Sequence, residues 1–282
     1  MPEKIHGYTE QDFMNMDQEA LRAILHERTH HTIEVLIYRI LNGKLKKPPN
    51  LGRQAKVVLG IWKKRGLPLG PPDIQWCINY IELADKLNSG QNVKLDTELP
   101  EPFSDTEIKT VEKLLYERRS IRQFTDKPVS EGMVRKILFA GLMAQQGCNV
   151  GSTRFIILRD PKEWKLVRSD IPLENGVMIL VCQDMRVYKA LKFDEYVPQN
   201  IYYDAAAAAD YMCLMAHALG LGTCWLTHGE ETQKKLMEYF GLPEFIVSRC
   251  HLIIGWPDEA PIKSQRIGVD DAIINSKMHR AA

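Results

Sequence analysis

Three arginines and one serine close together form the group with the clearest chemical potential in the sequence. They are Arg118, Arg119, Ser120 and Arg122. A guanidinium group is planar and donates several hydrogen bonds in a fixed arrangement, so it binds phosphate and ring oxygens well. The cluster therefore predicts a ligand that carries a phosphate. A solvated basic helix end, favoured by the helix dipole, is the alternative that the cluster alone leaves open.

Two further segments place amide and hydroxyl groups beside glycines. Gln146 and Asn149 lie in a loop between a predicted helix and a predicted strand. Glycine there lets backbone amides approach a ligand, and side-chain amides can contact the edge of a heterocycle. Thr227 and His228 follow a short apolar stretch that could lie against a flat ring. An ordinary turn is the alternative for the loop.

A fourth segment near the C-terminus adds cations. The chain continues from an apolar strand into a proline-rich stretch that contains Lys263 and Arg266. Either side chain could contact the same phosphate as the arginine cluster. The sequence therefore predicts one anionic ligand that is held from several parts of the chain.

The four segments together resemble the nitroreductase-like family. They read R-R-S-I-R-x-F, a helix-loop-strand ending in R-F-I-I-L, H-A-L-G-L-G-T-C-W, and L-I-I-G-W-P-D-E-A-P leading to Arg266. Their order and approximate separations match that family over roughly the last 175 residues, and four weak motifs in order are far more specific than any one. The loop departs from the family pattern A-P-S-x-x-N-x-Q-P-W, because this chain has A-Q-Q-G-C-N-V-G-S-T.

The resemblance implies a homodimer that binds FMN at the subunit interface, with both chains contributing to each site. The residues that it assigns to the cofactor are Arg118, Arg119, Ser120, Arg122, Asn149, Thr227 and Arg266. Gln146 and His228, from the same segments, are also expected to bind it. Thr227 would also be the catalytic residue, beside flavin N5. The tyrosine-containing strip 184–203 would cover the flavin, or its aromatic side chains would belong to the core or the interface.

The reaction that the resemblance implies is a ping-pong cycle. NADH or NADPH would reduce FMN, and a small electrophile such as a nitro compound or quinone would then take the electrons. Two other functions stay open. Thr227 resembles the dehalogenase branch of the family, so a reductive dehalogenase-like flavoenzyme is one alternative. A flavin-binding module without turnover, whose N-terminal helices bind a partner, is the other.

A competing motif lies in the N-terminal part. His26, Glu27 and His30 form H-E-x-x-H, in which two histidines one helical turn apart could ligate zinc. The H-x-x-G-x-x-H continuation is absent, and both histidines fall on an apolar helix stripe continued by Ile33 and Ile37. We therefore expect a packed helix face and no metal site.

Hydrophobic periodicity and turn residues predict the elements that hold these groups. Helices are expected at 17–41, 53–64, 73–87, 106–117, 131–143, 202–219 and 230–240, and strands at 154–158, 177–182 and 250–254. This order predicts an α+β fold, a nitroreductase-like mixed sheet covered by helices, with an N-terminal helical extension. The predicted division is 1–104 for the extension and 105–282 for the FMN-binding domain, with 88–103 as a polar linker.

Composition narrows the partners and the compartment. Lysine and arginine number 37 against 36 acidic residues, so no global field would recruit nucleic acid or an anionic membrane. Six cysteines without a C-x-x-C pair indicate a reducing setting. The N-terminal segment lacks the apolar core of a signal peptide, and no window reaches the about 18 apolar residues of a membrane span. We expect a cytoplasmic protein with a small-molecule substrate.

Overall fold

The computed structural model describes residues 4–93, 99–167 and 170–274. Its N-terminal part is helical: α1 Glu10–Asn15, α2 Gln18–Thr29, a π-helical turn His30–Glu34, α3 Val35–Leu41, α4 Arg53–Lys64 and α5 Pro72–Asn88. Thr9 caps α1 in a capping box, and Asp17 caps α2 by accepting from two backbone N–H groups. The predicted helix 17–41 is thus nearly continuous but contains a π-turn, and α1 was not predicted.

The C-terminal part mixes helices and strands. Its helices are α6 Asp105–Glu117, α7 Glu131–Leu142, a 3-10 turn Gly147–Asn149, α8 Pro161–Trp164, α9 Met185–Leu191, α10 Phe193–Tyr196, α11 Gln199–Ala218, α12 Glu230–Phe240 and α13 Val269–Ala272. Its strands are β1 Thr153–Leu158, β2 Val177–Asp184, β3 Gly222–Thr227 and β4 Ile246–Gly255.

The strands form one sheet in the order β1-β2-β4-β3, and all three pairings are antiparallel. Every residue of β2 is buried, because helices cover both faces of the sheet. On one face Val177, Ile179 and Val181 join the core formed with α7 and α11, and on the other Met178 and Leu180 join the core that includes α12. The α+β prediction is confirmed, and β3 is a strand where only an extended segment was expected.

The N-terminal helices pack against the C-terminal part. Their hydrophobic core contains the fully buried Trp62 and also includes Val150, Val187, Ala190 and Leu191. The division at residues 104 and 105 stays a prediction, and the predicted linker 88–103 lies partly outside the described residues. No helix in the described part of the chain is long and apolar enough to cross a bilayer.

Candidate functional site

The arginine cluster runs along the edge of β3. After α6 ends at Glu117, an isolated parallel bridge joins Ser120 to Thr223, and the Ile121 N–H donates to the Thr223 carbonyl at 2.9 Å. Ile121 is buried, whereas Ser120 is half-buried. The alternation of the extended chain therefore buries the isoleucine against the sheet and leaves its polar neighbours at the surface.

A close approach at Gly222 makes this arrangement possible. A Cβ atom at Gly222 would lie 2.7 Å from the Cβ of Ile121, which real structures do not tolerate. We therefore expect Gly222→Ala to push the arginine segment off β3 and to lower the free energy of unfolding by about 1–3 kcal/mol. Urea denaturation measures this change. Gly132→Ala is the control, because a Cβ at that helical glycine meets nothing within 4 Å.

The cluster and the C-terminal tail form a cationic cleft with a volume of about 340 Å³. The cationic and hydroxyl side chains that line it are Arg118, Arg119, Ser120, Arg122, Lys263, Ser264 and Arg266. Nε of Arg119 is buried and has no hydrogen-bond partner among the described residues. A buried charged donor without an acceptor is costly, so the cleft fits a bound anion such as a phosphate group.

The structure thus brings Arg266 to the arginine cluster, 144 residues after Arg122 in the chain. Glu259 belongs to the same region, because its carboxylate accepts from the backbone N–H groups of Arg122 and Gln123. Sequence reasoning missed Glu259. It follows a strand and a proline, where an acidic residue gives no distinct pattern.

Gln146 and Asn149 lie elsewhere, beside the N-terminal helices. They line a cavity of about 580 Å³ together with His26, Asp73 and Trp76. The Gln146 amide is used within the loop, since it donates to Thr153 Oγ1 at 3.1 Å and accepts from the Gly151 N–H at 3.0 Å. Within one chain, these two residues are not part of the cationic cleft.

Thr227 and His228 lie at the end of β3, where the Thr227 side chain is exposed. His228 Nδ1 lies 3.2 Å from His251 Nδ1, and Nε2 of each ring is buried without a partner among the described residues. Burial lowers the pKa of His228, and burial together with the neighbouring His228 lowers the pKa of His251 to about 4. Both rings are therefore neutral at pH 7, as a pair in which one ring donates to the other.

This histidine pair predicts a loss of stability in mild acid. The unfolded chain binds a proton at His251 near its usual pKa of 6.5, whereas the folded protein binds it only near 4. Above pH 6.5 neither state binds a proton at His251, so the free energy of unfolding is highest there. It falls as the pH decreases toward 4, because only the unfolded chain gains the proton. Urea midpoints at pH 7, 5 and 4 measure this. The decline should be smaller in His251→Gln, and an equal decline in both proteins would contradict it.

The H-E-x-x-H residues turn to different partners. His26 bonds Asp73 and the Asn149 carbonyl, His30 bonds Glu34, and the buried Glu27 is hydrogen-bonded to His6, Arg28 and His31. Within residues 4–93, 99–167 and 170–274, no group of three or more His, Cys, Asp or Glu could hold a metal ion.

Sequence reasoning also missed a buried polar network. The Tyr188 hydroxyl donates to Asp204 at 2.6 Å, and Asp204 accepts from the Gly147 N–H at 2.9 Å. Burial raises the pKa of both side chains. A lone aspartate beside five alanines was the available clue. Of the strip 184–203, Tyr188 belongs to the core, whereas Tyr196 and Tyr202 are exposed.

Comparisons with known proteins agree with this geometry. The model of the Nitroreductase family matches residues 115–165 and 162–256. Over 175 residues the chain is 31% identical to an Archaeoglobus fulgidus protein with the provisional name NADH dehydrogenase/NAD(P)H nitroreductase. That match covers 60% of this chain and 95% of the relative. A Staphylococcus aureus NADPH-dependent oxidoreductase is 25% identical over 188 residues, covering 60% of this chain and 74% of that protein.

A solved structure supports the same assignment. A provisionally named nitroreductase from Desulfovibrio desulfuricans, in complex with FMN, is similar with a TM-score of 0.50 and 30% sequence identity. The similarity covers 64% of this chain and 98% of that one. The chain belongs to the nitroreductase family. The matched residues include the arginine cluster and all four strands, whereas the N-terminal helices lie outside the family model.

Proposed function

We propose that this protein is an FMN-dependent oxidoreductase that uses NADH or NADPH to reduce a small electrophilic acceptor, such as a nitro compound or quinone, by a ping-pong mechanism. The observation that carries the proposal is the cationic cleft, where Arg119 has a buried guanidinium nitrogen without an acceptor in the part of the chain that the structure describes. Family membership and the FMN complex of the Desulfovibrio relative support it.

Different residues of the cleft would contact different groups of FMN. Arg118, Arg119 and Arg266 would hold the phosphate, whereas Ser120 and Arg122 would hold ribityl and ring-edge oxygens. FMN, when bound, supplies the redox chemistry by accepting electrons from the nicotinamide and giving them to the acceptor. The Thr227 side chain is exposed at the end of β3, where its hydroxyl could contact the ring, whereas His228 is paired with His251 and keeps Nε2 buried.

We further propose that the protein is a homodimer. Helix α6 has no buried residue. Exposed apolar side chains lie on this helix and on the C-terminal tail after β4: Ile108, Val111, Leu115, Tyr116, Ile262, Ile267 and Val269. Leu115, Tyr116 and Ile262 line one cleft, so α6 and the C-terminal tail share an exposed apolar patch, which is typical of an interface. Within one chain the loop of residues 146–149 lies away from the cationic cleft. The same loop of a second copy could then complete that cleft.

Light scattering tests the dimer directly. We expect a particle of twice the 32.4 kDa chain mass, with one FMN bound per chain. Ile108→Lys combined with Val111→Lys should give a monomer that binds FMN weakly, because both side chains are exposed on α6, do not line the cationic cleft, and can be replaced without changing the core. A monomeric wild-type protein with tight FMN binding would contradict the shared site.

Steady-state kinetics test the reaction. Initial rates at varied NADPH and varied nitro or quinone acceptor should give parallel double-reciprocal lines, since the nicotinamide leaves before the acceptor binds. The dehalogenase alternative requires a halogenated acceptor to be turned over better than a nitro compound, with loss of that preference in Thr227→Ala. Bound FMN without reduction by either nicotinamide would instead favour the binding module.

A further inference from the structure

The loop of residues 146–151 has an unusual backbone. Cys148 and Asn149 are consecutive and both lie in the left-handed region, with φ of +53° and +54°. Residues with a side chain adopt this conformation rarely, and it persists only where the surroundings hold it. The loop therefore needs contacts that fix its shape.

The loop is contacted both by the family core and by the N-terminal helices. In the core, Thr153 and Arg154 of β1 bond its two ends. Asp204 on α11 accepts from the Gly147 N–H. On the opposite side, His26 of α2 donates through Nδ1 to the Asn149 carbonyl at 2.8 Å, and His31 Nε2 lies 3.8 Å from Cys148 Sγ. The loop is thus held between the two parts of the chain at both of its strained residues.

His26 itself is fixed by its second ring nitrogen. Nε2 lies 2.8 Å from Asp73 Oδ2, and Arg22 bonds the same carboxylate through two nitrogens at 2.6 Å. Because both partners of His26 are acceptors, both ring nitrogens must carry hydrogen. Burial alone lowers the pKa of His26, but the hydrogen bonds, with Asp73 first among them, raise it to about 10. The His26 ring is therefore a buried imidazolium, and Arg22, Asp73 and His26 form a row of positive, negative and positive charges.

The helix geometry directs these residues toward the loop. The π-helical turn His30–Glu34 interrupts the regular helix directly after α2, and π-turns occur often at functional sites. His31 in this turn donates through Nδ1 to the buried Glu27 at 2.7 Å, which fixes its ring beside Cys148. His30, one residue earlier, turns away from the loop to Glu34.

We propose that His26 is a positioning residue, which holds the strained loop so that the exposed Asn149 is presented to the bound flavin. This inference rests on the proposed function. It gives the N-terminal helices, which the family model does not include, a role in the active site. They form one wall of the cavity above the loop. Without them the loop keeps its contacts with Asp204, Thr153 and Arg154 but loses the bond at the strained Asn149.

His26→Leu tests the proposal, because leucine removes both ring donors while leaving Arg22 to bond Asp73. His30→Leu is the matched control, since it changes the other histidine of the same motif. His30 bonds Glu34 and packs against the His31 ring, but it makes no hydrogen bond to the loop among the described residues. His26→Gln restores one donor for the Asn149 carbonyl and guards against a simple failure of His26→Leu to fold. Far-UV circular dichroism reports folding of each variant.

Two readouts are needed. Amide hydrogen exchange of the FMN-free protein reports on the loop, and fluorescence titration with FMN reports on the cofactor site. We expect about tenfold faster exchange across residues 146–151 and about tenfold weaker FMN binding in His26→Leu, partial recovery in His26→Gln, and no change in His30→Leu.

Unchanged loop exchange in His26→Leu would overturn the proposal. Faster exchange with wild-type FMN affinity and unchanged rates of flavin reduction and reoxidation would also overturn it, because the contact would then be only structural. Failure of the proposed function appears separately, in the wild-type protein: if that protein binds no FMN, both the function and the positioning role are wrong.

Discussion

Arg119→Ala should weaken FMN binding by about 10- to 100-fold, whereas Arg135→Ala should leave it unchanged. Hydrogen bonds to a charged group contribute about 1.5–3 kcal/mol each, and Arg119 offers a buried Nε that has no partner among the described residues. Arg135 lies exposed on α7 in an ion pair with Glu131 one helical turn away, so it controls for the loss of a surface charge. Fluorescence titration with FMN measures the dissociation constants.

The stability of Arg119→Ala separates a binding role from a structural one. If the Arg119 guanidinium binds a phosphate only when FMN is present, the FMN-free protein contains a buried donor without an acceptor. Arg119→Ala removes that donor, so the FMN-free variant should have a urea midpoint no lower than that of the wild type. Equal FMN affinity in Arg119→Ala and wild type would show that the cleft does not hold the phosphate. It would then leave the arginine cluster as a basic surface.

The second large effect is expected at Asp184. Its carboxylate is fully buried, accepts from Arg186 Nε at 2.9 Å and from the second Arg186 nitrogen at 2.6 Å, and caps α9. Arg154 lies 3.7 Å away and continues the network to Glu19 of α2. Asp184→Ala would remove the buried carboxylate that two arginines share and the cap of α9, while Arg154 keeps Glu19 and Arg186 keeps Asp17. We therefore expect a loss of about 3 kcal/mol in the free energy of unfolding.

A matched exposed ion pair provides the control. Asp85 bonds Lys56 at 2.7 Å, but its side chain is 42% exposed, and exposed pairs contribute about 0–1 kcal/mol. Asp184→Ala should therefore lower the melting temperature by roughly 10 °C, while Asp85→Ala should change it by a few degrees at most. A small effect at Asp184 would show that its buried ion pairs add little to the free energy of unfolding.

Turn-forming residues near the helix ends made most of the helices predictable. Helices α4 and α12 have the bounds that were predicted, because glycines or prolines flank them and their apolar spacing is regular. The π-turn His30–Glu34 could not be predicted, since it depends on packing between distant residues. Gly52 illustrates this: a Cβ there would lie 2.7 Å from Ile33 of the turn, so the bulged helix fits only against a glycine.

For the site too, features formed by neighbours in sequence could be predicted, whereas contacts between distant residues could not. Arg118, Arg119, Ser120 and Arg122 are adjacent in sequence, so their common chemistry could be recognised without a fold. The bond between His26 and Asn149 joins residues 123 positions apart, and the helical spacing of His26 and His30 predicted only a packed helix face. Which atoms a histidine contacts is decided by the elements packed around it, here α5 and the loop before β1.

The most direct test of the central claim is the anaerobic absorbance of the purified protein, reconstituted with FMN, as NADH or NADPH is added. We expect the flavin band near ~450 nm to bleach rapidly and to return when a nitroaromatic compound or quinone is mixed in. A flavin band that neither nicotinamide bleaches would contradict the proposed oxidoreductase. A protein that cannot be reconstituted with FMN at all would contradict the assignment of the cationic cleft as well.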